Sequence, residues 1–425
     1  MEILFNRDLK PNELVTIKHL KINSKGDFKE ENLNVYFKTS HNDYNVKLDK
    51  KFSIKNVIPL SFGRFGIYLS CKEIVKNKKN EIIMSPFTIF DVVNMVICAK
   101  GKPVFCDIDK DTNHLSLRNI KKKINKKTAG IIITHYETIN PEIIKIYEYC
   151  KKNKIKVIND LAISIDSKID NKNLAFFSDF SIYSFGFYKF VSSVLGGGLF
   201  VKDNKIYKRL NLKVKNYSYY NLNNLVFQIT KYIWIKFFLS QIVFKVLTFP
   251  LFKYAFVFNI NFLLNYTKND PDPFLRKKID KLFFKTLNII QIKNIEKIFK
   301  DLEKLRKIRK RNYLIYKSYL DIHNITLNYS ENNQKNSSFI NFPILVNNKQ
   351  ELTKFLMSRG FDVSQYFYRD CSSIIFFKKY GKNLSMINQH VKKLLVLPTH
   401  HLLSKKYVIS LSKSIILFYE KKKNI

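Results

Sequence analysis

The chain has 425 residues, 46% of them apolar and 15% aromatic, so it can bury a large core and is not a chain disordered throughout. Its 75 Lys and Arg against 34 Asp and Glu leave a net charge of +41. An anionic partner would explain that excess, and so would a compositional bias toward Lys, Asn, Ile and Phe at tolerant surface positions. Five cysteines, at 71, 98, 106, 150 and 371, are odd in number and without CxxC spacing, and the eight histidines form neither HExxH nor a ligand cluster; no disulfide framework and no metal site are expected.

Residues 1–56 read as an irregular or β-rich leader, with alternating stretches at Val15-Thr16-Ile17-Lys18 and Leu33-Asn34-Val35-Tyr36-Phe37-Lys38 around a polar turn at 23–27. Glu2 and Asp8 stand where an export signal needs a positive end and an apolar run, so a cytoplasmic protein is expected. Residues 57–221 change texture to short apolar runs separated by helical patterns, as in a mostly parallel sheet with crossover helices. Glu81–Met84, Pro103–Cys106, Ala129–Ile133 and Lys156–Ile158 are the expected strands. Residues 222–274 form an apolar, basic insertion. Residues 275–425 comprise charged connecting helices and a small C-terminal domain of alternating strand and helix.

Three elements of the 57–221 domain have the character of a site. Ser184-Phe185-Gly186-Phe187-Tyr188-Lys189 is followed by Gly196-Gly197-Gly198. A lysine amine can hold an aldehyde cofactor as a Schiff base and still exchange it with a substrate amine. A hydroxyl five residues earlier can bind phosphate, and the glycines allow close backbone approach; the bland alternative is a surface lysine beside a glycine turn. Val157-Ile158-Asn159-Asp160 is an apolar run ending in a carboxylate, placed to meet a protonated pyridine nitrogen or simply to cap a helix. Ser61-Phe62-Gly63-Arg64-Phe65-Gly66 is a glycine-bearing turn that opens a helix toward an anion.

In order and approximate spacing these residues resemble the DegT-type (DegT/StrS) nucleotide-sugar aminotransferases. In that family a strand-end Asp precedes a Ser-Phe-x-x-x-Lys motif by about thirty residues, with a Gly-Gly pair soon after. Gly101–Asp109 and Leu397-Pro398-Thr399-His400-His401-x-Leu403-Ser404 also resemble its segments, and the likeness covers about 57–205 and 275–420. The resemblance implies an aspartate-aminotransferase-like (fold type I) three-layer α/β/α large domain with a smaller C-terminal α/β domain. It also implies pyridoxal 5'-phosphate as cofactor, amino transfer from an amino acid such as glutamate to a nucleotide-linked keto-sugar, and a homodimer, with no nucleic acid as partner. Carried over residue by residue, Lys189 and Asp160 are the catalytic pair, while Ser184, Gly63, Arg64 and Phe65 hold the phosphate and Phe90 stacks on the ring. Ile163, Leu195 and Arg64 depart from the family pattern, which usually has Gln or His, Glu, and Thr in their places.

The insertion is the part without a family pattern. No Asp or Glu occurs from Asn204 to Asn269, while Phe, Ile, Leu, Val and the single Trp234 are interrupted by lysines too often for a spanning helix. Residues 222–265 are expected either to lie as amphipathic helices on an anionic membrane surface or to pack internally. Two rival functions follow: a sugar dehydratase, against which Lys189 argues, and a cofactor-free, membrane-associated scaffold derived from the same fold.

Overall fold

The computed structural model describes residues 14–22, 28–36, 56–110, 112–170, 172–186, 189–191, 195–219, 222–258, 260, 272–287, 289–321, 337–363, 369–381 and 384–423. The turn expected at 23–27, Phe187 and Tyr188 of the lysine motif, and residues 261–265 of the insertion lie outside the described residues. Leu14–Ile22 (β1) and Phe28–Tyr36 (β2) pair antiparallel, Leu14 opposite Tyr36.

The centre of the molecule is a seven-stranded sheet built from Val57–Leu60 (β3), Glu81–Met84 (β4), Lys102–Phe105 (β5), Thr128–Thr134 (β6), Lys156–Asp160 (β7), Phe180–Ser184 (β8) and Gly197–Val201 (β9). Their spatial order is β3-β9-β8-β7-β6-β4-β5. The pairings β8/β7, β7/β6, β6/β4 and β4/β5 are parallel, and only β9 runs against its neighbours β8 and β3. All seven residues of β6 are buried, as a parallel strand covered on both faces requires. Alternation along the strands sends Ile131, Ile133 and Val157 into one apolar cluster and Ile132, Ile158 and Ile182 into another.

Gly63–Ile74 (α1), Phe90–Cys98 (α2) and Asn204–Lys215 (α5) contribute to the second cluster, whereas Leu117–Lys123 (α3) and Ile143–Lys152 (α4) contribute to the first. Local chemistry starts two of these helices. Ser116 Oγ accepts from the Asn119 amide, and the Asp203 carboxylate accepts from the Lys205 and Ile206 amides. The result is the three-layer α/β/α arrangement expected from the sequence.

Leu222–Phe238 (α6) and Phe249–Val257 (α7) follow, joined through helical residues 241–248. Ile289–Leu320 (α8) then runs 32 residues. Asn341–Leu345 (β10) pairs antiparallel with Leu394–Pro398 (β11), and Lys349–Ser358 (α9) and Lys405–Lys423 (α11) pack with them around a third core containing Tyr316, Phe342, Leu356, Leu397 and Leu411. Ser385–Lys393 (α10) instead sends Ile387 into the core of the large sheet. Helix α8 belongs to two cores, with Ile292 and Ile295 against the large sheet and Tyr313, Tyr316 and Leu320 in the smaller unit.

Candidate active site

Three chain segments meet at the carboxyl edge of the sheet, where open α/β folds bind ligands. They are the turn after β3, the end of β7, and the connection from β8 to β9. The contact between the first and third is backbone on backbone: a Cβ on Gly197 would lie 2.4 Å from both Cα and N of Gly63, and one on Gly63 would lie 2.7 Å from the Tyr183 carbonyl oxygen and 2.9 Å from Ser184 Cβ. Only glycine at both positions lets the start of α1 nest against the β8–β9 hairpin. Phe62 forms an isolated parallel bridge with Gly196, and Ser61 Oγ donates to the Phe283 carbonyl at 2.6 Å, fixing the turn from its other side.

The start of α1 has no side-chain cap and no acid in its first turn. Its leading N–H groups therefore lack the usual Ser or Asp acceptor, which suits an anion. The Phe65 amide is already committed to the Phe62 carbonyl at 3.2 Å and its ring is fully buried, so of the three residues expected to bind phosphate, Gly63 and Arg64 are the ones whose amides lead the helix. The Arg64 guanidinium lies over the Phe62 ring at 5.3 Å and pairs with Asp91 at 3.2 Å. Arg276 reaches the same carboxylate at 3.4 Å.

Asp160, at the last position of β7, is 5% exposed and accepts an N–H from Ala162 at 3.0 Å. Lys189 lies close enough for each charge to act on the other. Burial pushes the Asp160 carboxyl above its ordinary value, with the Ala162 N–H and the Lys189 charge opposing. Burial likewise pushes the Lys189 ammonium below its ordinary value; Asp160 opposes this and Arg64 adds to it. A lysine so placed gives up its proton more readily than one in water, as a nucleophilic amine requires. Its amide donates to the Gly186 carbonyl at 3.1 Å, two residues past Ser184 at the end of β8.

Lys189, Asp160, Ser184, Gly63 and Arg64 are thus gathered at one edge. Phe90 is not with them. It is 1% exposed in the core behind the sheet, with its ring edge-on to Phe274 at 5.3 Å, and Ile89, one residue earlier, is the partly exposed side chain at the start of α2. Ile163 is buried in the core, and Leu195 contributes its carbonyl, which accepts from Gln291 Nε2 at 3.0 Å.

Several neighbours were not foreseen. Tyr136, whose hydroxyl donates to the Phe87 carbonyl at 2.5 Å, lies near enough to Asp160 to feel its charge. His135 accepts the Asn140 amide at Nδ1 (3.2 Å) and so carries its proton at Nε2, facing Asn159 Oδ1 at 3.3 Å; burial lowers its pKa to about 4. Gln291 and Arg309, both on α8, brace the lysine segment on either side, Arg309 by stacking on Phe190 at 4.5 Å. A Gln-x-x that reaches a backbone carbonyl leaves no pattern in sequence, and Arg309 is one cation in a run of them. Among the described residues no group of His, Cys, Asp and Glu could hold a metal ion.

A partly buried lysine and a strand-end carboxylate lie at the edge of a mostly parallel sheet, and the α/β/α fold that carries them is shared with solved structures of aminotransferases. PseC of Helicobacter pylori, an aminotransferase involved in the biosynthesis of pseudoaminic acid, matches with a TM-score of 0.68 at 18% identity, over 91% of this chain and 92% of its own. The aminotransferase from Psychrobacter cryohalolentis matches with a TM-score of 0.69 at 13% identity, over 89% and 91%. More particularly, the chain belongs to the DegT/DnrJ/EryC1/StrS aminotransferase family, whose sequence profile matches residues 39–224 and 295–415. Among curated relatives, GDP-perosamine synthase of Vibrio cholerae is 27% identical over 38% of this chain and 44% of its own length. A UDP-4-amino-4,6-dideoxy-N-acetyl-beta-L-altrosamine transaminase of Helicobacter pylori is 28% identical over 32% and 36%. The chain matches less than half the length of either relative.

Proposed function

We propose that this chain is a pyridoxal-phosphate-dependent aminotransferase that moves an amino group from an amino acid, glutamate foremost, to a ketone on a nucleotide-linked sugar. The observation that carries the reading is Lys189, its amine depressed by burial and set beside the buried Asp160. The residues present fit the cofactor: a glycine-lined helix start without a cap for its phosphate, a buried carboxylate for its ring nitrogen and a lysine amine for its aldehyde.

When bound, pyridoxal phosphate supplies an aldehyde and an electron-withdrawing ring. The amides of Gly63 and Arg64, the Ser184 hydroxyl and the Arg64 cation would hold its phosphate. Asp160 would pair with the ring nitrogen, a contact that burial in a low dielectric would strengthen. Lys189 Nζ would hold the cofactor through its aldehyde. The same amine, once free, would carry a proton to and from the substrate carbon. The names of the curated relatives support a nucleotide-sugar acceptor, and amino-sugar or surface-polysaccharide synthesis in the cytoplasm is the setting that fits them. A homodimer completes this reading, each site finished at a twofold interface.

The test is to load the purified chain with pyridoxal phosphate, reduce with borohydride and locate the modified lysine by peptide mass. Glutamate and candidate nucleotide keto-sugars are then supplied and the product followed by mass. A reduced adduct on Lys189 with gain of an amino group on the sugar is expected. A colourless protein with no adduct would favour the cofactor-free scaffold, and loss of sugar oxygen without amination would favour a dehydratase.

A further inference from the structure

The family profile stops at 224 and resumes at 295, and the helices between lie on the outside of the molecule. Helix α7 is fastened to the smaller unit: Ala255 is fully buried, Phe249 and Phe256 pack on the third core, and Lys253 Nζ donates to the Ser358 carbonyl at 3.0 Å. The rest of the insertion turns apolar groups outward. Among the described residues, more than half of the large apolar side chains that stay exposed fall within 227–258, among them Trp234 at 57%, Val246 at 72% and Ile242 at 78%. Phe227, Trp234 and Phe238 recur at helical spacing on α6, and Trp234, Phe237 and Phe238 cluster with ring centroids 5.5 to 6.1 Å apart. Lys231, Lys236 and Lys245 are exposed among these groups.

A surface of this kind wants a partner. We propose that the 227–258 face docks in the headgroup boundary of an anionic lipid bilayer, lying on the surface. Charge selects this occupant. No Asp or Glu stands anywhere from Asn204 to Asn269, so an isologous pairing of two copies would set lysine against lysine with no acid to offset it. An anionic headgroup layer offsets each lysine, while the indole and phenyl rings and the lysine stems enter the acyl boundary. Among the described residues no helix is long and apolar enough to cross a membrane, which fits docking in the plane. The proposal is independent of the catalytic reading, since its face holds none of the residues at the sheet edge.

The test is flotation of the full chain with vesicles of phosphatidylcholine alone and of phosphatidylcholine mixed with phosphatidylglycerol, at low and high salt. Two variants accompany it: Trp234→Ser/Ile242→Ser/Val246→Ser, and Lys231→Gln/Lys236→Gln/Lys245→Gln, each checked for an unchanged thermal transition. Co-flotation with the anionic vesicles is expected, weakened by salt, lost in the serine variant and reduced on the order of a hundredfold in the glutamine variant. Failure of the full chain to float, or equal flotation of all three proteins, would overturn it. So would self-association of the parent chain that disappears in the serine variant, which would assign the face to a second copy.

Discussion

The sheet edge around Asp160 and the helical insertion around Trp234 invert each other's chemistry. At the edge, a carboxylate and an amine that water would solvate well are withdrawn from it, and both shift toward their neutral forms. On the insertion, tryptophan, isoleucine and valine that a core would shelter are left outside. Both arrangements cost free energy in the isolated chain, and each would be relieved by a ligand of matching kind. The first calls for a compact, charged molecule with a place for a proton, and the second for a broad apolar layer bearing negative charge. One chain can thus carry two binding surfaces whose perturbation should separate cleanly.

Lys189→Ala breaks the comparison most severely. Turnover should fall by about ten-thousandfold or more, since the proposed nucleophile and proton carrier would vanish together, with the fold kept and membrane flotation unchanged. Asp160→Asn should leave pyridoxal phosphate bound, as visible absorbance would show, yet lower turnover by roughly a hundredfold or more. Near-normal turnover would make Asp160 a structural cap. Gly197→Ala drives a methyl into the backbone of Gly63. It should destabilise the fold by about 1–3 kcal/mol in denaturant titration and weaken cofactor affinity in parallel.

Acid should also act on the interior around the site. His114, His135 and His390 are buried with pKa values lowered from 6.5 to about 3, 4 and 4, so the unfolded chain binds their protons first. The stability they contribute is intact above pH 6.5 and is lost as pH falls from there toward 4 and 3. Urea midpoints across that window should drop steadily, and His114→Gln should flatten the slope. The smallest effect belongs to Ile242→Ser, which should shift stability by less than about 0.5 kcal/mol because the side chain touches little of the folded chain.

Much of the sheet was legible because fully buried strands leave unbroken apolar runs. Ala129–Ile133 falls inside Thr128–Thr134, Lys156–Ile158 begins Lys156–Asp160, and Pro103–Cys106 is shifted by one residue from Lys102–Phe105. Asp160, Ser184 and Gly63 could be expected at strand ends and a helix start from local pattern, where the structure has them, while Lys189 was singled out by the resemblance to the family motif. What failed to show was long-range. Phe90 is buried against Phe274, a partner far along the chain that local sequence does not reveal. Arg276 and Arg64 share Asp91 across more than two hundred positions, and a chain with so many cations gives no hint which one arrives. The insertion was recognised by composition, but whether its apolar side turned in or out depended on how little of the smaller unit it covers.

Helix α8 invites a mechanical reading. At 32 residues it is a rod of roughly 48 Å. Its N-terminal part grips the lysine segment through Gln291, its middle grips it again through Arg309, and its far end is set in the core that also seats α7. A stiff rod clamped at both ends transmits rotation. A tilt of about 3° at the far end displaces the other by about 2.5 Å over such a length, comparable to a hydrogen bond. The segment that follows Lys189 is thus held by a helix rooted at one end in the large-sheet core, through Ile292 and Ile295, and at the other in the smaller unit, so that a strain applied to either core has a stiff route to the lysine.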